Sequence, residues 1–212
     1  SHPELHNPGE FDFLFDPLFD SEDEPSIEDF ISSLHRSRIF KSKDLTIDPS
    51  CQSYSDLLYS LVGHSQSGRT TCLNIHRNFD IAIKYFPDAK FVHMLRDPRD
   101  VAKSSVNMGW AESTYYGIDH WLESEKSWDR LRSSSSSDQI FEFRYEDLIK
   151  NTESTLSELC EFLGSEFNQS MLNYHRISSY SKPDISLIEQ WRRSQSPTEI
   201  ELVEFKAGGL ME

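Results

Sequence analysis

From residue 70 onward the chain alternates between short apolar runs and longer stretches whose apolar positions recur every three or four residues. That rhythm predicts strands at "TTCLNIH", "KFVHML" and "QIFEFRY", since a strand buried in a parallel sheet reads as a short apolar run. Between and after them it predicts helices at "RNFDIAIKYF", "PRDVAKSSVNMG", "GIDHWLESEKSWDRLR" and "EDLIKNTESTLSELCEFLG". The punctuation agrees. Pro87 stops the first helix, Pro98 sits in the first turn of the second, and Gly164 ends the last. The serine run at residues 133–137 is low in complexity and predicts a loop. Strands alternating with helices imply βαβ units, hence an α/β fold: a three-layer sandwich with a central parallel sheet covered on both faces.

Upstream the pattern differs. Residues 1–48 are acidic and rich in Phe, as in "EFDFLFDPLFDSEDEPSIEDFISSLHRSRIF", with Pro17 and Pro25 as breaks. Ser26 followed by Glu28 and Asp29 marks the start of a short helix. The segment is either a lid facing a substrate or an irregular layer pinned by its Phe and Leu anchors. "SYSDLLYSLVGHS" then predicts a helix with Leu57, Leu58, Leu61 and Val62 on one side. At 212 residues the chain fits a single domain. Residues 1–48 form its acidic irregular or helical segment and 49–212 its α/β core. The 14 Phe, 8 Tyr and 4 Trp are enough to argue against wholesale disorder.

A net charge of -15 disfavours nucleic acid and anionic membranes as partners, so any anionic ligand needs a local basic pocket. The acidic N-terminal segment also disfavours a highly anionic polysaccharide. Cys51, Cys72 and Cys160 are odd in number, far apart and without a CxxC, which points to neither a disulfide framework nor a metal site. A reduced, cytoplasmic setting is the default, with a Golgi-lumen or other secretory form as the alternative. No apolar run approaches the ~18 residues of a membrane span, and no signal peptide is recognisable. The sequon at Asn168 does not assign a compartment. The chain opens on Ser1-His2 without a methionine.

In parallel sheets ligands bind beyond the carboxyl ends of the strands. Three such ends are predicted here: Ile75-His76-Arg77, Arg96-Asp97-Pro98-Arg99 and Arg144-Tyr145-Glu146-Asp147. At the second, a strand-end arginine meets the N–H groups that open the next helix, which is an anion site. Ser104 lies eight residues beyond Arg96, about two helical turns on, so guanidinium and hydroxyl can converge on a phosphate. The alternative is an Arg96–Asp100 surface ion pair with ordinary capping.

"KFVHMLRDPRDVAKSS" resembles the 3′-phosphate-binding motif of the sulfotransferase family, whose donor is 3′-phosphoadenosine-5′-phosphosulfate (PAPS). The resemblance implies that Arg96 and Ser104 hold the ribose 3′-phosphate. "FEFRYEDLIKNTESTLSELCEFLG" is similar to a second block of that family, which implies that Tyr145 lies against the adenine. "FPDAKF" looks family-like too. "ISLIEQWRRS" with "EFKAGGLME" resembles the segment that returns basic residues to the 3′-phosphate, here Arg192 and Arg193. The resemblance spans residues 70–167 and 185–212. It implies a P-loop-NTPase-like sulfotransferase fold, PAPS as co-substrate and no metal. It further implies a hydroxyl-bearing acceptor: a carbohydrate, a small molecule or a tyrosine.

Sulfuryl transfer needs a base for the acceptor hydroxyl. His76 stands where one family branch ends a strand on a catalytic histidine, and it is the candidate base; a surface or capping role is the alternative. Asn74 stands where that branch has lysine, leaving Arg77 or Arg69 to supply a cation. Other branches use a glutamate. His93 reads as a packed strand residue and His64 as a reserve. Trp110, Tyr115 and Tyr116 follow the phosphate helix, where an acceptor pocket is expected, whereas Trp121 and Trp128 read as packing. The family's 5′-phosphosulfate loop has one local match, "SQSGRTT" at residues 65–71, which reads instead as a loop leading into the His76 strand. The loop itself is expected upstream of residue 1 or outside this chain. If the chain is complete, a non-catalytic nucleotide-binding or scaffold protein is the alternative. A P-loop kinase built around "GRTT" lacks the expected lysine.

Overall fold

The computed structural model describes residues 2–18, 23–64, 68–176 and 182–211. The chain separates into two compact units, Ser1–Ala89 and Lys90–Glu212, so the acidic opening segment belongs with residues 49–89.

In the first unit, β1 (Leu5–His6) pairs in parallel with β2 (Thr70–Thr71), and an isolated bridge joins Glu10 to Asn74. Between the strands lie α1 (Ile27–Arg36), α2 (Arg38–Lys41) and α3 (Tyr54–His64), and α4 (Ala82–Tyr85) follows them. Ser26 caps α1 as predicted, its side chain accepting the Asp29 N–H at 3.1 Å, with Glu28 and Asp29 in the first turn where the helix dipole favours them. Phe and Leu residues of the opening segment are buried anchors. Phe11, Phe13, Leu14, Phe15, Phe30 and Leu34 are at most 2% exposed and form the core with Leu57, Leu58 and Leu61 of α3. Tyr54 joins them by edge contacts to Phe30 and Tyr85, with its hydroxyl donating to the Leu14 carbonyl.

The second unit pairs β3 (Phe91–Leu95) with β4 (Ile140–Arg144) in parallel, Phe91 opposite Ile140 through Leu95 opposite Arg144. Helices α5 (Pro98–Asn107) and α6 (Asp119–Ser134) connect these strands. After β4 come α7 (Tyr145–Lys150), α8 (Thr152–Leu163), α9 (Trp191–Ser194) and α10 (Pro197–Ala207). Its core gathers Ala102, Ile118, Trp121, Val203 and Ala207, with Leu95 and Val101 packed against them. Parallel strands with intervening helices make the fold α/β, as the sequence pattern implied.

Three elements depart from expectation. The strand at "TTCLNIH" is only Thr70–Thr71; beyond it the Cys72 N–H still donates to the His6 carbonyl at 2.8 Å, and pairing then shrinks to an isolated bridge at Asn74. The helix at "RNFDIAIKYF" is a 3-10 turn, Phe79–Ile81, followed by the single turn of α4; Asn78 in the left-handed region (φ 55°) sets its late start. The serine run begins inside α6. There the hydroxyls of Ser133, Ser134 and Ser135 donate to the carbonyls four residues back, at 2.7, 3.1 and 2.9 Å.

The position of α5 depends on a close approach. A Cβ added at Gly117 would lie 2.6 Å from the Ala102 carbonyl oxygen and 3.0 Å from its Cα, both backbone atoms. Gly117→Ala therefore forces α5 away from the 3-10 turn Tyr116–Ile118, at a cost of about 1–3 kcal/mol. Thermal unfolding of the purified variant is expected several degrees below wild type. Gly209→Ala, with open space around the new methyl, is expected to leave the midpoint unchanged.

Candidate functional site

The ends of β3 and β4 carry the residues the sequence singled out. Because Leu95 is in register with Arg144, the next residues, Arg96 and Tyr145, leave their strands at one level. Their side chains stack, with the Arg96 guanidinium carbon 4.5 Å from the Tyr145 ring centroid. Arg96 Nη2 donates to the Leu187 carbonyl at 3.2 Å, and the Arg96 carbonyl accepts from the Trp121 indole at 3.2 Å. Its Nε is buried and has no partner among the described residues. A buried guanidinium N–H left without an acceptor suits an anionic ligand arriving from outside the protein.

The alternative Arg96–Asp100 surface ion pair is absent from the contacts of the described residues. Asp100 is fully buried, and its Oδ1 accepts the Trp191 backbone N–H at 2.9 Å. Burial pushes its carboxyl above the ordinary value, against that hydrogen bond. Asp97 is the carboxylate that orients an arginine, and the arginine is Arg99. Asp97 caps α5 by accepting the Arg99 N–H at 2.9 Å and grips the guanidinium at both oxygens, at 2.9 and 2.7 Å. Burial works to raise the Asp97 carboxyl, and the Arg99 hydrogen bonds outweigh it and hold it low. Arg99 also reaches Glu204 of α10 at 2.7 Å and lies over the Trp191 ring at 3.8 Å. Glu146 ties the two strand ends together, accepting the Asp97 N–H at 3.1 Å.

Ser104 is half-buried on α5, one turn from the helix end. Arg192 stacks on the other flank of the same anchor, 4.3 Å from the Trp191 ring, and pairs with Glu189 at 3.1 Å. Arg193 donates to the Ser186 carbonyl. The C-terminal segment thus reaches the β3 end through Leu187 and Trp191, while its two arginines engage their own segment. Ser105, Trp110 and Tyr116 line one open hollow of about 490 Å³ with Glu112, Asp119 and His120. Trp110 is 74% and Tyr116 59% exposed, whereas Tyr115 lies under Lys206, 4.0 Å from its ring. Trp121 and Trp128 are buried, as expected. His93 packs on the Trp128 ring at 4.4 Å and bonds Glu125 at 3.2 Å.

In the first unit His76 stands beyond the end of β2 rather than on it. Asp12, 2% exposed, accepts its backbone N–H at 2.6 Å and meets its ring Nδ1 at 3.0 Å. Arg77 is engaged by Asp16 through two hydrogen bonds, at 2.7 and 2.9 Å, and Arg69 meets the His6 ring at 3.2 Å. Gly68-Arg69 leads directly into β2, whereas a phosphate-cradling P-loop opens a helix, which removes the kinase alternative. Residues 65–67 of "SQSGRTT" and the His64 side chain lie outside the described residues. Among the described residues, no group of three or more His, Cys, Asp or Glu is arranged to hold a metal, and no helix is long and apolar enough to cross a membrane.

The sequence reading missed Asp12, Glu146 and Trp191. A lone carboxylate inside the apolar run "FDFLF" was the available signal for Asp12.

Known proteins agree with this architecture. The sulfotransferase domain of the Synechococcus PCC 7002 olefin synthase superposes with a TM-score of 0.64 at 18% identity, covering 98% of this chain and 86% of that one. The sulfotransferase domain of the curacin biosynthetic pathway gives 0.62 at 16% identity, covering 97% and 89%. Among curated sequences, an omega-hydroxy-beta-dihydromenaquinone-9 sulfotransferase of Mycobacterium bovis is 30% identical over 97 residues, 40% of this chain and 25% of that protein. Sulfotransferase 2A6 of Rattus norvegicus is 24% identical over 136 residues, 56% of this chain and 47% of that protein. The chain thus spans less than half the length of these curated relatives. A model of the Sulfotransferase family matches residues 1–169, most of the molecule, and the chain belongs to the sulfotransferase family.

Proposed function

We propose that the protein transfers a sulfuryl group from PAPS to a hydroxyl-bearing acceptor, with the nucleotide's 3′-phosphate held at the β3 end. The observation that carries this is Arg96, stacked on Tyr145 with a buried Nε that has no acceptor among the described residues. Arg96 supplies a charge-assisted donor, the opening N–H groups of α5 favour negative charge, and Ser104 supplies a hydroxyl. Tyr145 offers a ring to the adenine. Arg192 and Arg193 bring positive charge on a segment that Trp191 and Asp100 hold in place. Bound PAPS supplies an activated sulfuryl group, and the chain's own task is to hold the phosphate, seat the acceptor and take its proton.

For the proton we place His76, and for the acceptor the hollow lined by Trp110 and Tyr116. Exposed aromatic faces suit a sugar ring or a phenol. Glu112 at its rim makes an anionic acceptor unfavourable.

Adenosine 3′,5′-bisphosphate binding to the full-length protein, measured by calorimetry, tests the nucleotide half. Arg96→Ala is expected to weaken it roughly 10- to 100-fold, the size of a lost charge-assisted hydrogen bond. Unchanged affinity overturns the assignment. Binding without sulfate transfer from labelled PAPS to any of a broad hydroxyl panel favours a non-catalytic nucleotide binder. Trp110→Ala is expected to raise KM for the acceptor several-fold and leave KM for PAPS unchanged in the same assay.

A further inference from the structure

Asp12 holds its partner in an unusual way. Its carboxylate takes two hydrogen bonds from one residue, the backbone N–H of His76 at Oδ1 (2.6 Å) and the ring Nδ1 at Oδ2 (3.0 Å). The approach is built by the backbone. Asn74 N–H donates to the Gly9 carbonyl at 3.1 Å, and Phe11 N–H donates to the Asn74 carbonyl at 2.9 Å. These bonds bring the turn at Asp12 alongside His76, and its chain neighbours Phe11 and Phe13 are buried with it. The carboxylate side chain is 3% exposed and the imidazole 59%, so the pair points its ring outward from a closed base.

The geometry points to Asp12 as the positioning residue of a His–Asp dyad, fixing His76 as the Nδ1–H tautomer so that Nε2 carries the basic lone pair. An ionised carboxylate only accepts, so the ring nitrogen facing it must be the donor. Burial alone would raise the Asp12 carboxyl, but the ring and backbone hydrogen bonds from His76 outweigh it and keep it ionised. The same ring hydrogen bond raises His76 above its ordinary value, against partial burial; Glu10 adds to the rise and Arg77, itself held by Asp16, opposes it. This role rests on His76 acting as the base. The acceptor O–H proton passes to Nε2, the acceptor oxygen forms its bond to sulfur, and the bond from sulfur to the bridging phosphate oxygen breaks. That oxygen keeps the electron pair and leaves on adenosine 3′,5′-bisphosphate. Asp12 then neutralises the imidazolium, as a buried carboxylate does for a protonated histidine.

Asp12→Asn keeps the shape of the side chain and the acceptor for the His76 backbone, so it tests charge rather than packing. Nitrogen NMR of histidine-labelled full-length protein reports tautomer and titration without turnover. Wild type is expected as the Nδ1–H form with a raised pKa, and Asp12→Asn with a lower one. The kcat pH profile rises as His76 loses its proton. Its acid limb is therefore expected to move to lower pH in Asp12→Asn, with kcat down roughly 10- to 100-fold and KM for PAPS unchanged. A purely structural Asp12 would change unfolding and leave that limb in place. An Nε2–H tautomer in wild type, or a His76 titration unmoved by Asp12→Asn, overturns the dyad. Full activity of His76→Ala instead overturns His76 as the base, while the NMR result still decides whether Asp12 sets its tautomer.

Discussion

The pairing of Leu95 with Arg144 makes β3 and β4 stop at the same level, and the candidate nucleotide site follows from that register. A parallel pair shifted by one residue would turn Arg96 and Tyr145 to opposite faces. In register they stack, and Glu146 fastens the β4 exit to the first N–H beyond β3. Helix α5 then starts where the strand stops, with Asp97 as its cap and Pro98 at its first position. The anion-attracting end of the helix is thereby aimed over the strand ends.

A second layer of order comes from the C-terminal segment. Trp191 sits between two guanidinium groups, Arg99 at 3.8 Å and Arg192 at 4.3 Å, and its backbone N–H enters the buried Asp100 carboxylate. Burying that carboxylate is unfavourable, and the Trp191 N–H offsets part of the cost at Oδ1, so the segment's docking and the burial of Asp100 depend on each other. Gln195 adds a bond to the Arg99 carbonyl at 2.6 Å. Arg99 and Arg192 are thus paired with carboxylates of their own unit, while Arg96 Nε stays buried with no partner among the described residues.

Much of this was legible in the chain. Apolar runs located β3, β4 and the long helices, and the strand-end rule located the turn where Arg96 and Tyr145 stack. What escaped had physical reasons. β1 is two residues long, too short for any periodicity. The Phe-rich segment mixes its apolar residues with aspartates, which reads as surface, yet Asp12 and Asp16 are answered by His76 and Arg77 from a distant part of the chain. Partnerships across more than sixty residues leave no local trace. The serine run misled for the opposite cause, since hydroxyls that favour loops found carbonyl acceptors within their own helix.

Arg96 and Arg99 occupy the same short stretch and carry the same charge, yet they belong to different economies of the fold. Arg99 spends its whole planar face and edge on protein: two oxygens of Asp97, one of Glu204 and the ring of Trp191. A lysine there would preserve the charge and satisfy only a fraction of those contacts, since an ammonium has neither the fork nor the flat face. Position 99 therefore has a sequence alphabet of essentially one letter, set by architecture alone. Position 96 keeps a buried N–H that no described residue accepts.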